Sequence, residues 1–505
     1  MHIKRFQPAL LEKILYWALR AVANRISAWM YLFYGTECIQ KKFSESNNEP
    51  FEVFAPDTRY VFISSHKHLR ELDAAPDTVL SLQAASKQML QPRYTMHGFN
   101  WFDRRGTEGV GFVRALRTLL TNNIPQLLPN LSILIKSSFS DMLEQHPVVD
   151  GSRHSPVYHV IQKLVVITNA VSFFGEDLAR NEVFMGSALR YIEETIICAE
   201  ILRLIPRPLA PVLGALIQRC VRSHEVIYAA LLPVAEQRCF ERDLAKLGHK
   251  VPKHADCIQW IMETSPRKAP WSGKRVVHEL MAIWFGSVHA LTTTITFAIH
   301  DLCLHPEYTQ PLRAELEADY SQFLQTGRGL PLLDSFIKES ARLTPVESMS
   351  TRRQALAPFE FSDGTKLTVG DWACTPVRAI MQSEALYPSP LEFHGFRFID
   401  AAARASVNSR GSCKAGPSQI SQPTPSSLCD ADASWHVWGS GRMVCPGRYY
   451  ATAVMKLVLA QIILEYDCRL VDPAARRWFT WRSTMLPNPR TKVVFSSCSN
   501  PTSAG

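Results

Sequence analysis

One cysteine constrains this chain more than any other residue. Cys445 stands in the run Trp438-Gly439-Ser440-Gly441-Arg442-Met443-Val444-Cys445-Pro446-Gly447-Arg448. Glycines four residues before and two after the sulfur, with an aromatic seven before, describe a tight loop whose backbone comes close to a flat partner. Backbone N–H groups around such a sulfur keep it anionic, and the aromatic walls it from water. Beyond Cys-Pro-Gly, the stretch Arg448-Tyr449-Tyr450-Ala451-Thr452-Ala453-Val454-Met455-Lys456 reads as a helix start, whose dipole also favours a thiolate. The loop suits a thiolate holding a heme iron. Its bland alternative is a buried, inert cysteine in a glycine-rich turn.

Composition sets the frame for that loop. A chain of 505 residues, 46% of them hydrophobic, can bury a large core. Charged residues at 20% and aromatics at 10% describe an ordered globular protein. The formal charge of +9 is mild and spread out; it fits an anionic membrane surface or an acidic partner as well as nucleic acid. No zinc-finger or helix-turn-helix signature accompanies it, which argues against nucleic acid. The twelve cysteines show no CxxC spacing, so neither a disulfide framework nor a zinc site is expected, and the surroundings are reducing.

At the other end, residues 9–35 are apolar and aromatic, but Glu12, Lys13, Arg20 and Arg25 interrupt every window long enough to span a bilayer. No clean apolar core and cleavage site mark a signal peptide. The expectation is an interfacial amphipathic helix over 1–35 with a basic face, a weak tilted span being the alternative, followed by one catalytic domain over 36–500.

Helical periodicity dominates at 112–128, 183–205, 208–245, 273–304, 310–325, 331–343 and 446–465. Short strand-like pieces fall at 51–54, 60–63, 350–354, 359–361, 366–369 and 491–496, with Asp363-Gly364 as a hairpin turn. The predicted fold class is mainly α with small β-sheets (α+β). The stretch 280–299 carries no formal charge, yet Ser287, His289 and the Thr292-Thr293-Thr294 run make it a central buried helix rather than a lipid-facing one. A Ser/Pro/Gly-rich stretch, 403–434, is read as an insertion looping out at the surface.

A second constellation lies upstream. Glu339 and Arg342, three apart on a predicted helix, share a face and can form a charge-assisted pair. Exposed pairs of this kind contribute little, but here the flanking Leu332-Leu333-Asp334-Ser335-Phe336-Ile337 predicts burial. A buried pair needs another partner, and Arg397 in Phe393-His394-Gly395-Phe396-Arg397-Phe398 is the candidate.

With these motifs in order, the chain from about residue 36 to 498 resembles the cytochrome P450 family of heme-thiolate monooxygenases, in particular its fungal members of secondary metabolism. The resemblance implies one large fold enclosing heme b between a long central helix and the cysteine loop. It places Cys445 at the axial iron ligand and Glu339, Arg342 and Arg397 at the family's structural triad. It also puts Trp438, Gly441, Arg442 and Gly447 around the cofactor, with Arg352 and Arg117 as partners for the heme propionates. The chain departs from the pattern at Trp438, where phenylalanine is usual, and at Met443, where a basic residue is usual.

The larger departure lies on the long helix, in Gly286-Ser287-Val288-His289-Ala290. His289 takes the place of the family's acid and Ala290 that of its proton-relaying threonine. Alanine donates no hydrogen bond. Protons then come from Thr292 or Thr293, from ordered water, from His289, or from a substrate hydroxyl. The bland readings are a satisfied core histidine and threonines bonded to carbonyls one turn earlier.

The activity implied is oxidation of an apolar molecule, such as a fungal terpenoid or polyketide intermediate, by O₂. NADPH supplies electrons through cytochrome P450 reductase, with cytochrome b5 as a further partner. The implied setting is the endoplasmic reticulum membrane, the catalytic domain on its cytosolic side. One alternative is a heme-thiolate isomerase that needs neither O₂ nor reductase, which a lost relay threonine would suit. Another is a catalytically degenerate heme protein.

Overall fold

In the computed structural model, residues 8–99, 101, 111–206, 208–266, 268–400 and 425–498 are described. Helices gather around Gly273–Leu304, which is 32 residues long. Its start is set by Ser272, whose Oγ accepts the Arg275 N–H at 3.4 Å. Its end falls at Leu304, with Pro306 two residues beyond unable to continue it. Val276, Leu280, Trp284, Val288, Ile295 and Ile299 bury it on several sides. Its length and apolar composition would pass for a membrane span. Instead it packs against the helices Val157–Phe174, Ser223–Lys246, Pro331–Leu343 and Arg448–Glu465, as the central buried helix the sequence predicts.

The main sheet has five strands, in the spatial order Phe51–Phe54, Arg59–Phe62, Trp372–Thr375, Ser350–Ala355 and Leu80–Ser81. Arg59–Phe62 runs parallel to Trp372–Thr375, joining the N-terminal part of the chain to a distant strand, while the other pairs are antiparallel. A second sheet orders Tyr466–Leu470, Lys492–Ser497, Ser152–Pro156 and Val148–Val149. The Asp363-Gly364 hairpin forms as expected: Gly364 takes φ +88° and the Asp363 carboxylate accepts the Thr365 N–H at 2.9 Å.

Several boundaries differ from the sequence reading. The span 208–245 divides into Ala210–Cys220 and Ser223–Lys246, because Val221 is extended. The stretch from 112 to 128 is not one helix: Gly111–Arg114 passes through a π-helical segment, Ala115–Leu120, into Thr121–Glu144. Next to residue 35 the helix Pro8–Glu45 is kinked: Tyr34 leaves helical angles (φ −129°, ψ 25°) and divides it into two helical pieces.

Of the stretch 403–434, residues up to 424 lie outside those described; within 425–434, Pro425 and residues 430–432 are exposed, while the part around Leu428 turns inward. Leu428 is buried at 1% exposure. The Lys338 ammonium donates to Ser426 Oγ at 2.8 Å and to the Ser427 carbonyl at 2.9 Å, and the Asp334 carboxylate accepts the Leu428 N–H at 2.6 Å. These buried charges on the helix Pro331–Leu343 clamp the segment into the core.

Candidate active site between the long helix and the cysteine loop

Glu339, Arg342 and Arg397 come together with no solvent exposure. Glu339 and Arg342 sit one turn apart on Pro331–Leu343, and Arg342 grips the carboxylate in a fork, Nε to Oε2 at 2.7 Å and Nη2 to Oε1 at 2.9 Å. Arg397 Nε bridges both carboxylate oxygens at 3.1 Å, and the His394 N–H adds a bond at 2.9 Å. The remaining guanidinium N–H groups donate to carbonyls of Met381, Pro388, Ser389, Pro390 and Glu392. A buried ion cluster persists only when its donors and acceptors are met in this way. This one ties the 381–397 segment to the helix behind the site.

The Cys445 loop is similarly held. Its N–H donates to the Trp438 carbonyl at 2.8 Å, closing a turn in which Gly439 and Gly441 take φ of +83° and +56°. Trp438 Nε1 donates to the Leu428 carbonyl at 2.6 Å, so the clamped 425–428 segment in turn positions the aromatic beside the cysteine. Burial pushes the Cys445 thiol above its ordinary range; the N–H groups of Gly447 and Arg448 and the Arg448 guanidinium oppose it. Arg448 is fixed by the carbonyls of Cys429 and Cys445 at 2.9 and 3.1 Å. A sulfur buried among N–H donors at the start of the helix Arg448–Glu465 is prepared for a cationic partner.

A cavity of about 490 Å³ lies between this loop and the long helix, with Cys445 and Ala290 both on its wall. The long helix presents Ala282, Gly286 and Ala290 there, and the loop presents Gly447. A Cβ added at Gly286 or Gly447 would meet nothing within 4 Å, so these positions leave flat, open walls. Tyr450 crosses the edge of the cavity: its hydroxyl donates to Asn169 Oδ1 at 3.1 Å, and Asn169 Nδ2 donates to the Ser287 carbonyl at 3.1 Å. Asn169 was not found by sequence reasoning. It sits on a mostly buried helix with few exposed positions, such as His159 and Lys163, which leaves little periodic signal.

The three groups expected to relay protons are not on this wall. Thr292, Thr293 and His289 are absent from the cavity lining, and the hydroxyls of Thr292 and Thr293 are buried without a partner among the described residues. Helical spacing turns Thr292 to the far side from Ala290. Burial lowers the His289 pKa, and the negative charge of Glu347 works against that. Thr294 does line the cavity, with its hydroxyl donating to the Ala290 carbonyl at 3.0 Å.

The basic residues also redistribute. Arg117 is exposed, off the wall. Arg442 turns outward to Asp77 at 2.7 Å and the Ala75 carbonyl at 2.6 Å. Gly441 faces Asp73 rather than the cavity, since a Cβ there would lie 2.6 Å from that carboxylate. Arg352 lines the cavity but is paired with Glu347 at 2.5 Å. Its neighbour Arg353 lines the cavity too, though adjacent strand residues normally face opposite ways. The cause is a register shift between Ser350 and Arg353, with Thr351 at φ +49°. Arg353 is 3% exposed, reaches the Asp73 carboxylate only at 3.4 Å, and has its pKa pushed down to about 10 by burial. A buried guanidinium so weakly paired is a ready partner for an anion. A bulge cannot be read from this sequence, which is why Arg353 was missed.

The residues fit a heme: a part-buried cysteine sulfur that the iron's charge would favour as thiolate, side-chain-free walls for a flat ring, and a buried cation for a propionate. The cytochrome P450 family profile matches residues 40–495. The chain belongs to the cytochrome P450 family. It is 27% identical over 471 residues to cytochrome P450 monooxygenase olcJ of Penicillium canescens, covering 91% of this chain and 83% of that protein. It is 30% identical over 342 residues to ent-kaurene oxidase of Gibberella intermedia, covering 66% and 60%. The structure of retinoic acid-bound cyanobacterial CYP120A1 superposes with a TM-score of 0.66 at 17% identity, over 91% of this chain and 94% of that one, which shows the shared α+β fold. This cytochrome P450 is thus a heme-thiolate monooxygenase acting on an apolar small molecule, with O₂ and with NADPH-derived electrons delivered by a reductase.

Proposed function

We propose that Cys445 would hold the heme iron through its sulfur in this cytochrome P450 and that the substrate is an oxidisable terpenoid or polyketide skeleton of fungal secondary metabolism. The observation that supports the first part is Cys445 on the wall of a cavity whose opposite wall is the small-residue face of the long helix. The relatives in Penicillium and Gibberella support the second. The bound heme supplies O₂ activation and oxygen transfer. Trp438 shields the sulfur, Arg353 holds a propionate in preference to Arg117 or Arg442, and Arg352 is retained by Glu347. Glu339, Arg342 and Arg397 hold the loop's supporting layer in place.

Leu116, Leu120, Phe112 and Ile283 exclude water and orient the substrate by shape. Thr294 and Ser287 are the side-chain hydroxyls of the long helix on the cavity wall, so they replace Thr292, Thr293 and His289 as the proton-handling groups of choice. Turnover of a panel of terpenoids and polyketides with reductase, NADPH and isotopically labelled O₂ tests the reading. Product should carry one labelled oxygen atom. Conversion that persists without NADPH and O₂ would replace oxygenation with rearrangement.

The domain is held at the cytosolic face of the endoplasmic reticulum, with cytochrome b5 as a second electron partner. The support is on the helix Pro8–Glu45, where Ile26, Trp29, Met30 and Phe33 are each at least half exposed while Tyr31 and Leu32 pack inward. Deleting residues 1–35 should move the protein from the microsomal to the soluble fraction; retention in the membrane would refute this anchoring.

A further inference from the structure

Among the described residues lining the cavity, Glu347 is the one carboxylate, on a wall otherwise of apolar, hydroxyl-bearing and cationic side chains. It sits between the helix Pro331–Leu343 and the strand Ser350–Ala355, opposite the long helix. Its Oε2 accepts from Arg352 Nη2 at 2.5 Å and from Ser483 Oγ at 2.9 Å, and its Oε1 accepts from Thr484 Oγ1 at 2.8 Å. A carboxylate has about four acceptor positions. Glu347 therefore keeps one on Oε1, and the side chain is one-third exposed, into the cavity it lines. Arg352 balances its charge, so the pair neither attracts a cation nor welcomes an anion. What remains is one acceptor, oriented by three donors, for a neutral O–H.

We propose that Glu347 is a specificity-determining residue that accepts a hydrogen bond from a hydroxyl on the substrate, so that this cytochrome P450 acts on an already oxygenated apolar skeleton. The inference rests on the heme-monooxygenase reading of the same cavity. A second observation is compatible with it: Ala290 brings no hydroxyl of its own to the same cavity wall that Glu347 lines, so a substrate alcohol would add one there. The enzyme then follows a step that installs a hydroxyl, either an earlier oxygenation or a cyclisation quenched by water.

The test uses the full-length heme-loaded protein in detergent and the substrate-induced spin-state shift of its absorption spectrum. Probes are matched sets of hydrocarbon, alcohol and acid on one skeleton, such as abietadiene, abietadienol and abietic acid, with equivalent labdane and sterane sets. A hydrogen bond to a charged acceptor predicts that at least one alcohol binds roughly tenfold or more tighter than both its hydrocarbon and its acid. The double variant Glu347→Leu/Arg352→Leu, which strands no buried charge, should bind alcohol and hydrocarbon alike. Glu347→Gln, which retains a carbonyl acceptor, should keep part of the preference. If no alcohol outbinds its hydrocarbon, or if the double variant keeps the full preference, the inference fails. The reduced, CO-bound spectrum of each protein separates that failure from loss of the heme site itself.

Discussion

Replacing Glu339 by Gln changes one charge and almost no volume, which makes it a sharp test of the buried triad. Glu339 accepts from Arg342 Nε and Nη2, from Arg397 Nε and from the His394 N–H, all at 2.7–3.1 Å. A glutamine NH₂ placed at either oxygen position meets donors rather than acceptors, so at least one of these bonds becomes a donor–donor clash. Removing one partner of a buried ion pair costs about 3–5 kcal/mol. Here two guanidiniums with no solvent exposure lose the one carboxylate that pairs them among the described residues, so the cost falls at the upper end of that range. A domain is stable by only about 5–15 kcal/mol in total. Glu339→Gln should therefore abolish most heme incorporation and shift urea unfolding strongly downward. Arg397→Leu is the control: it leaves the Arg342 fork on Glu339 intact and should cost clearly less. Heme content per protein and urea midpoints give both numbers. The reasoning is refuted if Glu339→Gln stays within about 1 kcal/mol of the parent, the ordinary size of a point-mutation effect, or if Arg397→Leu is the more damaging change.

Glu315 offers a pH test: it accepts the Leu332 and Leu333 N–H groups at the start of a buried helix, and burial raises its pKa from 4.5 to about 7. A carboxyl raised on folding stabilises below its unfolded pKa and loses that contribution as pH climbs to the folded value, so Glu315→Gln should gain on the parent by on the order of 3 kcal/mol between pH 4.5 and 7. A stability difference between the two proteins that stays flat over this window, measured in urea, would contradict it. Lys338→Met releases the anchors on Ser426 and Ser427, and limited proteolysis should cut near residue 425 several-fold faster. Unchanged cleavage would show that Asp334 and Trp438 hold the segment without Lys338.

How much of this was legible in the sequence depended on the kind of signal. The helices 273–304 and 331–343 were read to the residue, since capping serine, proline and leucine periodicity agree there. The triad was legible because Glu339 and Arg342 are one turn apart in an apolar context. Val157–Phe174 and Trp372–Thr375 were not, because an element buried mostly or wholly carries little or no alternation. Direction was the harder problem in the site. Thr292, Thr293 and Thr294 are equivalent as letters, and only the helix's rotation puts Thr294 on the wall. Arg352 and Arg353 likewise both reach the cavity only through a register shift near Thr351 that no residue type announces. Glu347 gave no motif at all; its partners Ser483 and Thr484 lie far along the chain.

The account turns on Cys445 as the iron ligand. The most direct measurement is the absorption spectrum of the reduced, CO-bound protein beside Cys445→His. The parent should show the strongly red-shifted Soret band of thiolate ligation, and the variant, if it retains heme, the shorter-wavelength band of histidine ligation. A parent spectrum of the histidine type, or a red-shifted band that survives in Cys445→His, would contradict the assignment.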